Sequence, residues 1–182
     1  IYLLSSSFTV LGLIVLLSLP WIVACTLALV SLTGQGFLKV KRRNEIADAY
    51  QKISSHKATK VVVLGSFGKT TMKELLAEVV GSVKKIAFTP GNKNVLISHA
   101  RWINTKLSGD EDVLIFEIGE YRPGDVGKMM DLIRPDYAVV TGFAPNHIDT
   151  YKTVGALKRD LTSVSKFVAN DKLFASIQAK DN

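Results

Sequence analysis

Val61-Val62-Val63-Leu64-Gly65-Ser66-Phe67-Gly68-Lys69-Thr70-Thr71 runs without a break into Met72-Lys73-Glu74-Leu75-Leu76-Ala77-Glu78-Val79-Val80. Four apolar residues, three of them β-branched, read as a buried parallel strand, and residues 69–80 combine helical periodicity with good helix formers. Strand, glycine loop and helix in that order form the context of a phosphate-binding loop. Gly65 and Gly68 permit a tight turn with inward N–H groups, and the helix start adds unpaired N–H groups and its positive dipole end. An anion belongs there. Lys69 brings a point charge for the outer phosphates of a nucleotide, and the Thr70 hydroxyl is placed to join a Mg²⁺ ion. Gly65, Ser66, Phe67, Gly68, Lys69, Thr70 and Thr71 are thus the candidate nucleotide-binding residues. Val63 stands where the longer form of this loop has its first glycine, so the loop is a short variant.

Beyond the loop, apolar runs alternate with helical patterns. Strands are expected at residues 85–89, 112–118 and 137–141, and a further one at 173–179. Helices are expected at 95–107, 124–133 (after Pro123 and before Pro135) and 154–167. This alternation makes right-handed βαβ units and an α/β fold, a parallel sheet with helices on both faces. Ligands in such sheets sit outside the carboxyl ends of the strands, so residues 65–71, 89–94, 117–122 and 141–149 should converge. Glu117 ends an apolar strand where water is scarce and needs a cation, for which Mg²⁺ is the natural candidate. Asn92 and Asn94 supply amides, and His147 an imidazole. Each has a plainer reading as well: turn residues, a strand-end salt-bridge partner and a solvated loop histidine.

The beginning of the chain is of another kind. Residues 1–38 carry no charge, whereas all 23 basic and 16 acidic residues lie from Lys39 onward. An uncharged apolar run longer than about 18 residues reads as a membrane span. Pro20 allows two forms, a hairpin of two spans turning near residues 18–20 or one kinked span over about residues 11–32. Lys39-Val40-Lys41-Arg42-Arg43 follows at once, and the positive-inside rule then puts the next domain on the cytoplasmic side of a cell membrane. The chain thus divides into a membrane segment (1–38), a basic helix and linker (39–58) and a nucleotide-binding domain (59–182). His56 lies in the polar break of that linker and is expected to be solvated. The net charge of +7 is explained largely by membrane topology, and no aromatic-basic patch argues for nucleic acid. A single cysteine, Cys25, excludes an intrachain disulfide framework.

Gly65–Thr71, then Thr89-Pro90-Gly91-Asn92-Lys93-Asn94, Glu117-Ile118-Gly119, Arg134-Pro135-Asp136 and His147-Ile148-Asp149 resemble, in that order, the motifs of the Mur ligase central domain. The resemblance covers residues 59–182. It implies an ATP-dependent, Mg²⁺-requiring ligase of peptidoglycan precursor synthesis that forms an amide through an acyl phosphate. The partners it implies are a muramoyl-peptide substrate, UDP-linked or lipid-linked, and an amino acid or dipeptide such as D-Ala-D-Ala. Lys69 and His147 are then the catalytic candidates, Thr70, Glu117 and His147 the metal ligands, and Asn92 and Asn94 the substrate-side residues.

Several positions depart from the family pattern. Asn94 is followed by Val95 rather than a second asparagine, and Gly142 follows Thr141 where an asparagine is usual. A carbamoylated lysine that supports Mg²⁺ is expected near Leu161, where the chain offers Asp160 beside it and Lys158 a turn away. A membrane segment replaces the family's UDP-sugar domain, and the closing C-terminal domain does not follow. The expectation is a fragment, inactive by itself. Two other classes compete: a membrane-tethered P-loop NTPase switch, which would carry an aspartate in place of Glu117 and an Asn-Lys-x-Asp tetrad, and a non-catalytic ATP-binding scaffold.

Overall fold

The computed structural model describes residues 2–91, 94–145 and 148–176. The apolar start and the basic stretch form one continuous helix, α1 (Tyr2–Ser55), with Pro20 inside it. The two-span hairpin is therefore not formed. Proline removes one backbone donor, but the apolar turns on both sides have no partner for their peptide groups except the helix itself, so the helix continues. By length and composition α1 is the one helix among the described residues that could cross a membrane. The chain divides into two compact units, residues 1–43 and 44–182.

The second unit opens with the end of α1 and continues through β1 (Thr59–Leu64), α2 (Lys69–Gly81), β2 (Ile86–Phe88), α3 (Leu96–Lys106) and β3 (Val113–Glu117). It goes on with α4 (Asp125–Ile133), β4 (Tyr137–Val140), α5 (Ile148–Tyr151), α6 (Val154–Thr162) and β5 (Leu173–Ala175). All strands are parallel, in the order β2-β3-β1-β4-β5. The expected helix over residues 154–167 stops at Thr162 and tightens into a 3₁₀ turn, Ser163–Lys166. The last strand is shorter than expected, and residues 177–182 lie outside the described part.

Side chains alternate across the pleat and sort the core into two layers. Val62, Leu64, Leu114 and Phe116 face one side and pack with Ile103 of α3, Met130 and Ile133 of α4 and Leu157 of α6. Val63 and Ile115 face the other side and meet Ala77 of α2. The end of α1 joins the larger layer through Ala49 and Ile53. It is pinned there by polar contacts: Lys52 Nζ donates to the carbonyls of Asn104 and Leu107 at 3.2 and 2.8 Å, and Asn104 Nδ2 donates to the Glu45 carbonyl at 2.8 Å. Residues 44–55 are thus core structure rather than a linker. His56 is corrected with them. It is buried, with Nε2 2.9 Å from Glu111 Oε2 and Nδ1 accepting from Ala58 N, because the helix delivers it onto the loop before β3. A partner 55 residues away leaves no trace in the local pattern.

Candidate active site

The register sets Val63 beside Glu117 and Leu64 beside Val140, so the loops after β1, β3 and β4 leave the sheet at one edge. Gly65 and Gly68 take φ of 133° and 73°, in the left-handed region that glycine reaches without strain. Gly65 is also a close approach, since a Cβ there would stand 2.6 Å from Thr141 Oγ1 and 2.8 Å from the Gly142 carbonyl. Ser66 N donates to that carbonyl at 2.8 Å, and the Thr141 hydroxyl donates to the Phe67 and Leu64 carbonyls. The Phe67 ring lies on Gly142, where a Cβ would come within 2.3 Å of it. The glycine that departs from the family pattern is therefore what admits an aromatic residue into the loop. No side chain caps the start of α2, which leaves its first N–H groups to a ligand.

Lys69 Nζ donates to the Gly65 carbonyl and reaches both Glu120 carboxylate oxygens at 3.3 and 3.2 Å. The Thr70 hydroxyl donates to Glu117 Oε2 at 2.9 Å, and Lys73 Nζ sits 3.2 Å from the same oxygen. Lys73 is 0% exposed and Glu117 2%, so this charge pair is shut off from water. Thr89 completes the arrangement, its hydroxyl accepting from Glu117 N at 2.9 Å. Asn94, expected to face the substrate, is buried, with Oδ1 accepting from the Tyr121 hydroxyl at 3.1 Å and its carbonyl accepting from Gly119 N at 2.9 Å. Asn92 and His147 lie outside the described residues. Asp160 is engaged elsewhere: it accepts from Gly124 N at 3.1 Å and from the Tyr151 hydroxyl at 2.5 Å. Burial, with Asp160 next, pushes the Tyr151 hydroxyl far above the ordinary tyrosine range. Asp160 thereby ties α6 to the start of α4. Lys158 is exposed.

Residues 63–182 match the Mur ligase middle domain. The chain belongs to the Mur ligase family. It is similar to the UDP-N-acetylmuramoyl-tripeptide--D-alanyl-D-alanine ligase of Borreliella burgdorferi, at 28% identity over 98 residues that cover 54% of this chain and 21% of that protein. The enzyme of the same name from Synechocystis is 33% identical over 86 residues, 47% of this chain and 19% of the other. Among solved structures, MurF ligase from Thermotoga maritima in complex with ADP superposes with a TM-score of 0.71 and 26% identity, covering 77% of this chain and 33% of that one. MurF from Acinetobacter baumannii shares the fold, with a TM-score of 0.68 over 76% of this chain and 32% of its own. The chain spans about a fifth of the length of the curated relatives it matches.

In this Mur ligase middle domain, Lys73 lies beside the candidate site without having been expected there, whereas Glu120 and Tyr121 fall inside the 117–122 loop that was expected to converge but were given no individual role. Lys73 carried a signal, because it lies one turn after Lys69 on the face that turns toward β3. For Glu120 and Tyr121 the strand-end rule gave the place, but their partners depend on the path of the chain after β3. The residues fit a nucleotide with its cation: Gly65 and Gly68 hold the loop in the left-handed region, with Gly65 packed against Thr141 and Gly142 where no Cβ has room, a helix start is uncapped, and a hydroxyl and a carboxylate offer hard oxygen donors.

Proposed function

We propose that the chain is the nucleotide-binding part of a membrane-anchored ligase that uses ATP to join an amino acid or D-Ala-D-Ala to a muramoyl peptide, on the cytoplasmic side of a cell membrane. The observation that carries this reading is the convergence of the Gly65–Thr71 loop, Lys69, Thr70 and Glu117 at one sheet edge. The names of the curated relatives and the ADP complex of the similar Thermotoga enzyme support it. ATP supplies the phosphoryl group that activates the substrate carboxylate. Lys69 and the loop N–H groups hold the phosphates and offset their charge. Thr70 and Glu117 would hold a Mg²⁺ ion, and Lys73 keeps the Glu117 carboxylate in place. His147 is proposed to serve a second metal ion near the reacting carboxylate, and Asn92 to line the substrate side. Asn94 is assigned a narrower part: with its side chain engaged by Tyr121, it shapes that wall.

Phosphate release tests the reading. Protein in detergent with Mg²⁺ and ATP is given UDP-muramoyl-tripeptide with or without D-Ala-D-Ala. Release should depend on both, and Lys69→Ala should lower it by about a hundredfold, the scale on which a charge-stabilising donor acts. Hydrolysis that ignores both substrates would favour the switch, and binding without release would favour the scaffold.

A further inference from the structure

The phosphate-binding loop contains its own counter-anion. Lys69 Nζ is occupied by the Gly65 carbonyl and by both oxygens of Glu120. The side chains are 15% and 1% exposed, so this is an enclosed pair rather than a solvated surface bridge. Attraction between such groups is stronger than in water, because the surroundings are less polarisable.

Backbone geometry brings residue 120 to this place. Ile118 N donates to the Val63 carbonyl and Gly119 N to the Asn94 carbonyl, both at 2.9 Å. A Cβ on Gly119 would stand 2.6 Å from the Tyr121 ring and 2.9 Å from the Asn94 side chain, so the chain leaves β3 along one narrow path. That path delivers residue 120 to the mouth of the loop. Two lysines one turn apart on α2 then pair with two carboxylates three residues apart, Lys73 with Glu117 and Lys69 with Glu120. Of the two pairs, Lys69–Glu120 is the one at the glycine loop.

We propose that Glu120 is an internal occupant of the phosphate site, holding Lys69 in the empty loop until the terminal phosphates of a nucleoside triphosphate displace it, and so setting nucleotide affinity. Two anions compete for one ammonium, and the like charges cannot both stay beside it without repulsion. Apparent affinity then falls by the fraction of time that Lys69 is free of Glu120. The inference deepens the nucleotide reading and rests on it.

Glu120→Gln keeps the shape and removes the charge. Binding of a fluorescent ATP analogue and of ADP would be measured for wild type, E120Q, K69A and the double variant, in detergent, with Mg²⁺ and with EDTA. E120Q should bind the ATP analogue about tenfold more tightly in both media, as expected when Lys69 is held about nine-tenths of the time. The gain should be smaller for ADP, and K69A/E120Q should show no gain over K69A. Glu120→Ala is expected to behave like E120Q, and melting curves recorded alongside identify a variant that has lost its fold. Unchanged or weaker binding by both folded variants in EDTA overturns the proposal. So does a loss confined to Mg²⁺, which would make Glu120 a metal-binding residue, or a gain that persists without Lys69. Absence of nucleotide binding by wild type would instead overturn the nucleotide reading itself.

Discussion

His99 shows how much one residue can ask of a core. It is fully buried on α3, its ring 5.7 Å from that of Phe116, and neither ring nitrogen makes a hydrogen bond of good geometry among the described residues. Burial disfavours the charged ring and lowers its pKa to about 4, with the backbone of Glu117 pulling weakly the other way. An unfolded chain takes up the proton near pH 6.5, so the folded state binds it later. The stability this contributes is complete above pH 6.5 and is lost as the pH falls from 6.5 toward 4. His99→Leu, of similar bulk, should remove that loss. Urea midpoints of wild type and variant should diverge steadily below pH 6.5 in the variant's favour, and at pH 7 the variant should be at least as stable, since it buries no unpaired nitrogen. Parallel curves would refute the assignment. A carboxylate acts in a lower window: burial pushes the Glu111 carboxyl up, but bonds from Ser108 and His56 outweigh it and hold it well below the usual range.

At the scale of elements, the seam between α2 and β3 is a charge pair set into an apolar layer. Lys73 extends the face of α2 that also presents Ala77, yet its ammonium finds Glu117 at the end of β3. Removing one member leaves the other buried and uncompensated, which costs about 3 kcal/mol or more. Lys73→Met should therefore destabilise strongly. Lys73→Met with Glu117→Gln should recover most of the loss, because no lone charge remains and Thr70 keeps a hydrogen-bond partner. A double-mutant cycle in urea gives the coupling, and a Lys73→Met cost below about 1 kcal/mol would contradict the picture. The elements themselves were legible from sequence between residues 59 and 140, because each buried strand is a short apolar run closed by glycine, proline or a polar residue. The loop from Gly65 to Thr71 was legible for the same reason, its context being local. Pairings across the fold were not. Lys73 with Glu117, Lys69 with Glu120 and His56 with Glu111 join residues 44, 51 and 55 positions apart, and only the sheet order brings them together.

On the scale of the whole molecule, the two compact units differ in the surface they expose. Residues 12–43 expose bulky apolar side chains around the helix, Leu16 at 70% and Trp21 at 75% among them, and the cost of such surface in water is about 25 cal/mol per Å². On the proposed membrane-anchored reading lipid would remove that cost, and the basic residues 39–43 would suit the headgroups. Residues 44–182 instead close a core of their own, with Ala49 and Ile53 of α1 as members of it. The division of labour predicts a clean separation at residue 43 and not at residue 58, where the basic helix and linker was expected to end. Deletion of residues 1–43 should give a protein that is monodisperse without detergent, with an unchanged urea midpoint and nucleotide affinity within about twofold of the longer chain, well under the 1.4 kcal/mol that a tenfold change represents. Deletion of residues 1–58 should fail to fold, because it strips Ala49, Ile53 and His56 from their buried places and leaves Glu111 without its partner. The longer chain should remain with membranes through an alkaline carbonate wash. Release by that wash, or a midpoint that falls when residues 1–43 are removed, would mean that the first unit supports the second rather than anchoring it.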